Sequence, residues 1–511
     1  MKVMTMIAWL LLVPFAVAEP PRQAKILNGP AVAAGKLVRE VWVKRYTEQG
    51  RLGWMQTLSF EVTVEGQPLI RTVIRDHLRY LRSGDPYSED TEQYSVETVD
   101  GTVVEVGYRS PLGKNQDLVI RGRPSGKQIV LEVLDHTGKS VVYQQVKPWD
   151  TRARGILFQD KLLEGKDLSV GKSYTVHGFL TVLNDVAPTT YTVLGRKQIT
   201  VAGKKVEAIE VEQSYPKECY LEKTRHYLDP ATGQTLLSTE DNSLFDMVSH
   251  ERCDRDAALA AFPGTVKDKD SPVTIDKPFT LGLLGGLPGR IRIAIEMTED
   301  DSPEAVFHDN KRQKFLKKAG NRGEFLLASK QLDDWRDAPE PAPAAEFLAS
   351  NFYIRSDDAL VKKLAKEAIR DASDAKLKME RITRWVKNKV KGGYEVGFAT
   401  ADEVARTLEG DCTEMGVLAA AMGRAVGVPT RVCFGLVYDP DNPGFAGHLW
   451  SEAYVNQRWQ TFDPTGVIDS VAAAYLRIDG VSLSGVLSPD EISSVRRGFA
   501  GRMKVFVLEA K

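Results

Sequence analysis

The sequence predicts an α+β chain: a large, mainly antiparallel β region, then a C-terminal domain in which a helix bundle packs on an antiparallel sheet. Three observations carry this. From about Lys36 to about Cys253, short apolar runs alternate with period two and are separated by glycine turns, as in half-buried strands. Between Asp337 and Ala345 the run DAPEPAPAA is rich in proline and alanine, which stiffens an exposed linker and marks the main boundary. Beyond it, apolar residues recur at helical spacing.

Residues Met1 to Ala18 (MKVMTMIAWLLLVPFAVA) join one lysine, an apolar run and an Ala16-Val17-Ala18 ending. That is the make-up of a secretory signal peptide with a small-residue cleavage site, and its apolar run is short for a bilayer span. An uncleaved N-terminal anchor is the alternative. No cysteine follows the cleavage point, so lipid anchoring finds no support, and no later segment is apolar for long enough to cross a membrane. The mature chain is expected to be exported, periplasmic or extracellular, without stable membrane insertion.

A length of 511 residues suits about three domains, each able to bury a core. The leader holds Lys2 and no acid, which leaves 67 basic and 69 acidic residues. So small a net charge gives no reason to expect nucleic acid or an anionic membrane as partner. Four cysteines are few for an exported chain and make no disulfide scaffold. His77, His136, His177, His226, His250 and His308 stand at no metal-ligand spacing, so neither metal nor cofactor is expected.

Residues 19–261 form the β-rich part. Leu58, Phe60, Val62 and Val64 alternate before Glu65-Gly66; Ile129, Leu131 and Val133 alternate before His136-Thr137-Gly138; Ile199 and Val201 precede Gly203, and Val206, Ile209 and Val211 follow it. Long strands joined by such turns predict a curved sheet or half-open barrel. Its edge or concavity suits a peptide or an acyl chain, but its plainest role is a structural spacer. Cys219 and Cys253 both fall here; a hairpin closed by Asp229 to Gln234 places Cys219 near Leu244 instead, and the pairing stays open. Residues 262–345 read as a small mixed segment ending in the linker, with strands at Phe279 to Leu284 and Ile291 to Ile295. Its basic run KRQKFLKK (Lys311 to Lys318) is a solvated face, too short and too poor in aromatics for nucleic acid.

The catalytic candidate is 346–511. Ser356 or Asp357 caps a helix carrying Leu360, Leu364 and Ala368, and Ile382, Trp385 and Val386 mark a second. Thr400-Ala401-Asp402-Glu403 has the pattern of a capping box opening a short third helix that Gly410 ends. Asp411 or Cys412 then caps a fourth, with Val417, Leu418, Ala421, Met422 and Ala425 at helical spacing and Gly427 and Pro429 as its stop. Cys412 sits in its first turn, where unpaired N–H groups and the helix dipole favour negative charge; Asp411 opposes it.

Thr430 to Tyr438 reads as a buried strand holding Cys433, and DPDNPGFAG (Asp439 to Gly447) as a loop leading to His448. His448 to Val455 and Arg458 to Phe462 flank Asn456-Gln457 as a hairpin. With Val455 opposite Arg458, Asp463 falls opposite Trp450 and shares a face with His448, roughly 7–8 Å apart at the backbone. Tyr475 to Ile478 and Lys504 to Leu508 are expected to complete the sheet.

The segments GDCTEM, RAVGVPTRV, GHLW and W-x-x-F-D-P-T together resemble the transglutaminase-like superfamily, the bacterial branch of the papain-like thiol enzymes. The resemblance covers roughly the last third of the chain, and NFYIRSDDALVKKLAKEAI and RITRWVKNKV are similar to its lead-in helices. It implies that Cys412 is the nucleophile, His448 the general base and acid, and Asp463 the residue that orients the imidazole. Met415 departs from the histidine that relatives often carry there, a position outside the triad.

Such a triad implies attack of Cys412 on an amide of a protein or peptide, with a thioester intermediate. Water completes a hydrolysis and an amine completes a transfer; the sequence leaves both open. The Cys412 N–H serves the oxyanion, and Tyr394 is the candidate for the second donor. The reading from another class is a non-catalytic interaction or scaffold protein with a degenerate thiol-enzyme domain.

Overall fold

The computed structural model describes residues 35–82, 85–113, 116–135, 140–181, 184–216, 219, 221, 223–242, 245–260, 266–267, 273–274, 289–297, 302–310, 312–328, 340–393, 398–439, 444–466, 475–485 and 503–510. The leader, His136 to Gly138, Phe279 to Leu284, Asp337 to Pro339, Tyr394 and residues 440–443 of the loop before His448 lie outside them.

The N-terminal part is one 15-stranded sheet. Lys36–Thr47 pairs with Gly50–Val64 on one side and with Asp246–Cys253 on the other, so the first and last strands of the region lie side by side. One meander runs out from there to an edge at Val141–Pro148. The other runs to Ser173–Leu180, which the short Ala153–Arg154 flanks in parallel. Contacts also join distant parts of the sheet: Thr102, before the interior strand Val103–Gly113, bridges Arg154, and Lys147 Nζ on the edge strand donates to the Asn184 carbonyl at 2.9 Å. Apart from the parallel Ala153–Arg154 the sheet is antiparallel. Its hairpins turn where expected, at Glu65-Gly66 (φ 51° and 82°) and Ala202-Gly203 (φ 49° and 75°), the left-handed pairs whose twist matches the flanking strands.

In the C-terminal part, Asp358 caps Ala359–Ile369, one residue beyond the expected Asp357, and accepts from the N–H groups of Leu360 and Val361. Ala375–Lys389 follows, capped by Asp374. Ala401–Thr407 starts after Thr400 as expected, but the capping box does not form, because the Thr400 hydroxyl turns to Asp402 Oδ1 at 2.5 Å. That helix ends on left-handed Leu408 (φ 52°) rather than at Gly410. Cys412–Ala425 is the deepest helix, nearly every residue buried.

These helices pack on a sheet in the order Val273–Thr274, Gly444–Val455, Thr430–Asp439, Tyr475–Val481, with Arg458–Phe462 also on Gly444–Val455. Lys504 to Leu508 corrects the expectation: Met503–Ala510 joins a separate four-stranded sheet with Arg290–Met297, Gln313–Ala319 and Arg322–Ala328. Its alternation explains this, since Met503, Val505 and Val507 lie opposite Met297, Ile295 and Ile293 and extend one apolar face. That face packs against Leu436, Trp450 and Tyr475 and so backs the sheet that carries His448. The KRQKFLKK run contributes an outer strand whose Lys317 and Lys318 pair with Glu324 and Glu304.

The β region shares a core with the helices. Leu112, Leu118, Ile129 and Leu131 belong to the same buried cluster as Val361, Met379, Ile382 and Val417. Cys219 and Cys253 are not bridged to one another. Among the described residues no helix is long and apolar enough to cross a membrane.

Candidate active site

The cysteine helix opens on a turn built from carboxyl groups. Asp411 caps it and accepts from the Thr413 N–H at 2.8 Å, while Glu414 Oε2 accepts from the Asp411 N–H at 3.0 Å, completing a reciprocal capping box. Glu414 Oε1 accepts from the Ala399 N–H at 3.1 Å, which ties the preceding loop to the helix. Glu414 is fully buried, and burial first, then the neighbouring Asp411, pushes its carboxyl well above the usual range. Gly410 permits the approach: its φ is 151°, and a Cβ there would meet the Glu414 side chain at 2.2 Å. Cys412 emerges half-buried at the tip.

His448 lies on Gly444–Val455, opposite Gly435. The hairpin has the expected register, with Val455 opposite Arg458 and Ser451 opposite Phe462. Asn456 and Gln457 take φ of 52° and 59° in its tight turn. Asp463 follows directly, and its Oδ2 stands 2.8 Å from His448 Nε2, both side chains buried. Cys412 lies close enough to the same imidazole to act on its charge. Of the three side chains named from the sequence, the structure joins His448 to Asp463 and sets Cys412 near the imidazole; Tyr394 lies outside the described residues.

Electrostatics favour a protonated imidazole. Burial alone pushes the His448 pKa down, but the charges of Asp463 and Cys412, with hydrogen bonds to both, outweigh it and raise it to about 10. Asp463 is the counterpart: burial pushes its carboxyl up, and His448, with bonds from Thr465 and Tyr475, holds it below the ordinary value.

Several supporting residues escaped the sequence reading. Trp450 stacks on His448, centroids 6.0 Å apart and planes 19° apart. Thr465 gives Asp463 Oδ1 two bonds, from its N–H at 3.0 Å and its hydroxyl at 2.7 Å. Tyr475 donates to Asp463 Oδ2 at 2.7 Å. Thr465 had a signal in the Asp-Pro-Thr turn; Tyr475 had none, because it arrives on another strand. Beyond Trp450, Glu452 is held between Arg431 (2.6 Å) and Arg477 (3.5 Å). Burial would raise its carboxyl, but the two guanidinium groups hold it at about 2. Among the described residues no group of three His, Cys, Asp or Glu side chains stands close enough to hold a metal ion.

A helix tip, a strand and the turn beyond a hairpin thus bring a sulfur, an imidazole and a carboxylate into one region of the fold. Residues 362–464 match the family model of the transglutaminase-like superfamily, so the chain carries a transglutaminase-like domain. No curated protein matches the chain. Among solved structures it is similar to "a Putative Cysteine Protease from Cytophaga hutchinsonii", at 17% identity and TM-score 0.28, over 44% of this chain and 88% of that one. It is similar to a β-barrel-like protein of a domain of unknown function from Brucella abortus, at 14% identity and TM-score 0.30, over 42% and 95%. "A Putative Protease from Parabacteroides distasonis" aligns at 12% identity and TM-score 0.18, over 70% and 64%.

Proposed function

We propose that the chain is an exported thiol enzyme that cleaves amide bonds of proteins or peptides. The observation that supports the reading is the buried contact of His448 Nε2 with Asp463 Oδ2 at 2.8 Å, with Cys412 at its helix tip near enough to act on the same imidazole. The sulfur, with its proton held on His448, attacks the amide carbonyl carbon, forming the C–S bond. Negative charge collects on the carbonyl oxygen, which the Cys412 N–H meets at the helix N-terminus. As the C–N bond breaks, His448 passes the proton to the departing amine and a thioester remains. His448 then takes a proton from water, which attacks the thioester; the C–S bond breaks, the acid leaves, and the sulfur is restored with the proton again on His448. An amine in place of water turns the same sequence into a transfer.

Iodoacetamide tests the reading. Cys412 is expected to label near neutral pH much faster than Cys219, Cys253 or Cys433, and Cys412→Ala to abolish turnover of a peptide substrate. Equal, slow labelling of all four points to a scaffold instead. A glutamine-containing protein offered with a labelled amine distinguishes the outcomes, since ammonia release without incorporation means hydrolysis.

A further inference from the structure

Asp463 Oδ2 is shared. It faces His448 Nε2 at 2.8 Å and receives the Tyr475 hydroxyl at 2.7 Å. Oδ1 is occupied by Thr465. Tyr475 starts the strand Tyr475–Val481, which pairs with Thr430–Asp439 rather than with either strand of the hairpin that carries His448 towards Asp463. Its ring is wedged edge-on against Trp450, centroids 5.1 Å apart, and tilted against His448 at 6.4 Å. The side chain is 9% exposed, so water does not readily replace it.

We propose that Tyr475 is a positioning residue of this site: its hydroxyl, donated to the oxygen that faces the imidazole, keeps the Asp463 carboxylate charged and aimed at His448. The inference rests on the thiol-enzyme reading above. Thr465 already restrains Oδ1, but a carboxylate with only one partner on Oδ2 binds a proton more readily. The phenol opposes this, because it donates to the charged oxygen that faces the imidazole. In this reading Tyr475 acts through Asp463.

The test is the pH dependence of iodoacetamide alkylation at Cys412, which needs no identified substrate, in the full chain and in Tyr475→Phe. The phenyl ring keeps the contacts with Trp450, so the melting temperature is expected to stay within a few degrees of the parent. The acid limb of the alkylation profile is expected to move up by about one pH unit, with about tenfold slower labelling on that limb, as for loss of one hydrogen bond to a charged group. The low-field Nε2–H proton resonance of His448 is expected to shift as well, a second readout that packing alone does not move. An unchanged profile and resonance in Tyr475→Phe overturn the role of Tyr475 while leaving the thiol-enzyme reading standing. A parent chain whose Cys412 labels no faster than Cys433 overturns both.

Discussion

The side-chain oxygen of Gln116, on a hairpin of the 15-stranded sheet, accepts from the backbone N–H of Thr400 at 3.3 Å and lies 3.0 Å from its hydroxyl. Next to it the Phe398 N–H donates to the Leu112 carbonyl at 2.8 Å. The same short loop holds Glu414 through Ala399, two residues from Cys412. The β region therefore braces the loop that anchors the cysteine helix. Gln116→Leu, close in volume and unable to accept, is expected to destabilise the chain by about 1 kcal/mol and to slow alkylation of Cys412. Urea unfolding and labelling rates check this; a variant indistinguishable from the parent in both would remove the brace.

Because the core is shared, residues 346–511 expressed alone are expected to expose Val361, Ile382 and Val417 and to bind a hydrophobic dye or precipitate. A compact, soluble fragment with native labelling at Cys412 would show that the β region is dispensable.

Gly435 lies opposite His448, and a Cβ there would stand 2.2 Å from the Leu476 carbonyl oxygen and 2.9 Å from the Trp450 ring. Gly435→Ala must push the strand that carries Tyr475 away from its neighbour. A loss of about 1–3 kcal/mol is expected, read from the urea midpoint, together with slower labelling of Cys412.

The site also sets a pH window. His448 stands at about 10 when folded against an ordinary 6.5, so its contribution to stability is complete below 6.5 and is lost as pH rises through 10. Asp463 is depressed, so its contribution is present above its unfolded value near 4 and is lost as pH falls through the folded one. Both are complete only between about pH 4 and 6.5. The melting-temperature gap between the parent and His448→Gln is expected to be widest in that window and to close towards pH 10. A gap that stays constant would contradict the assignment.

Glu452 sits between Arg431 and Arg477 behind Trp450. Glu452→Gln leaves two largely buried guanidinium groups facing each other and is expected to cost about 3 kcal/mol in urea unfolding. A cost near zero would mean that water already shields the cluster.

Much of the site was legible along the chain because its geometry is local. Asp411 and Glu414 are one helical turn apart, and a two-residue turn sets the register that carries Asp463 back to His448. Boundaries were read less well. Thr400 and Glu403 have the spacing of a capping box, yet the hydroxyl is taken by Asp402 beside Gln116, a partner hundreds of residues upstream. Lys504 to Leu508 had the alternation of a strand but no mark of which sheet it joins, since any apolar face in need of a neighbour accepts it.

By itself the sequence determined the period of each element, the turns between them, and the placing of a cysteine at a helix N-terminus with a histidine and an aspartate on a following hairpin. Those depend on φ/ψ preferences and side-chain periodicity within a few residues of one another. Tertiary structure alone decided that Tyr475 shares the Asp463 carboxylate, that Gln116 braces the cysteine loop, and that the large sheet and the helices bury one core. Each of these joins groups brought together only by packing, and apolar surface seeks burial without specifying against what.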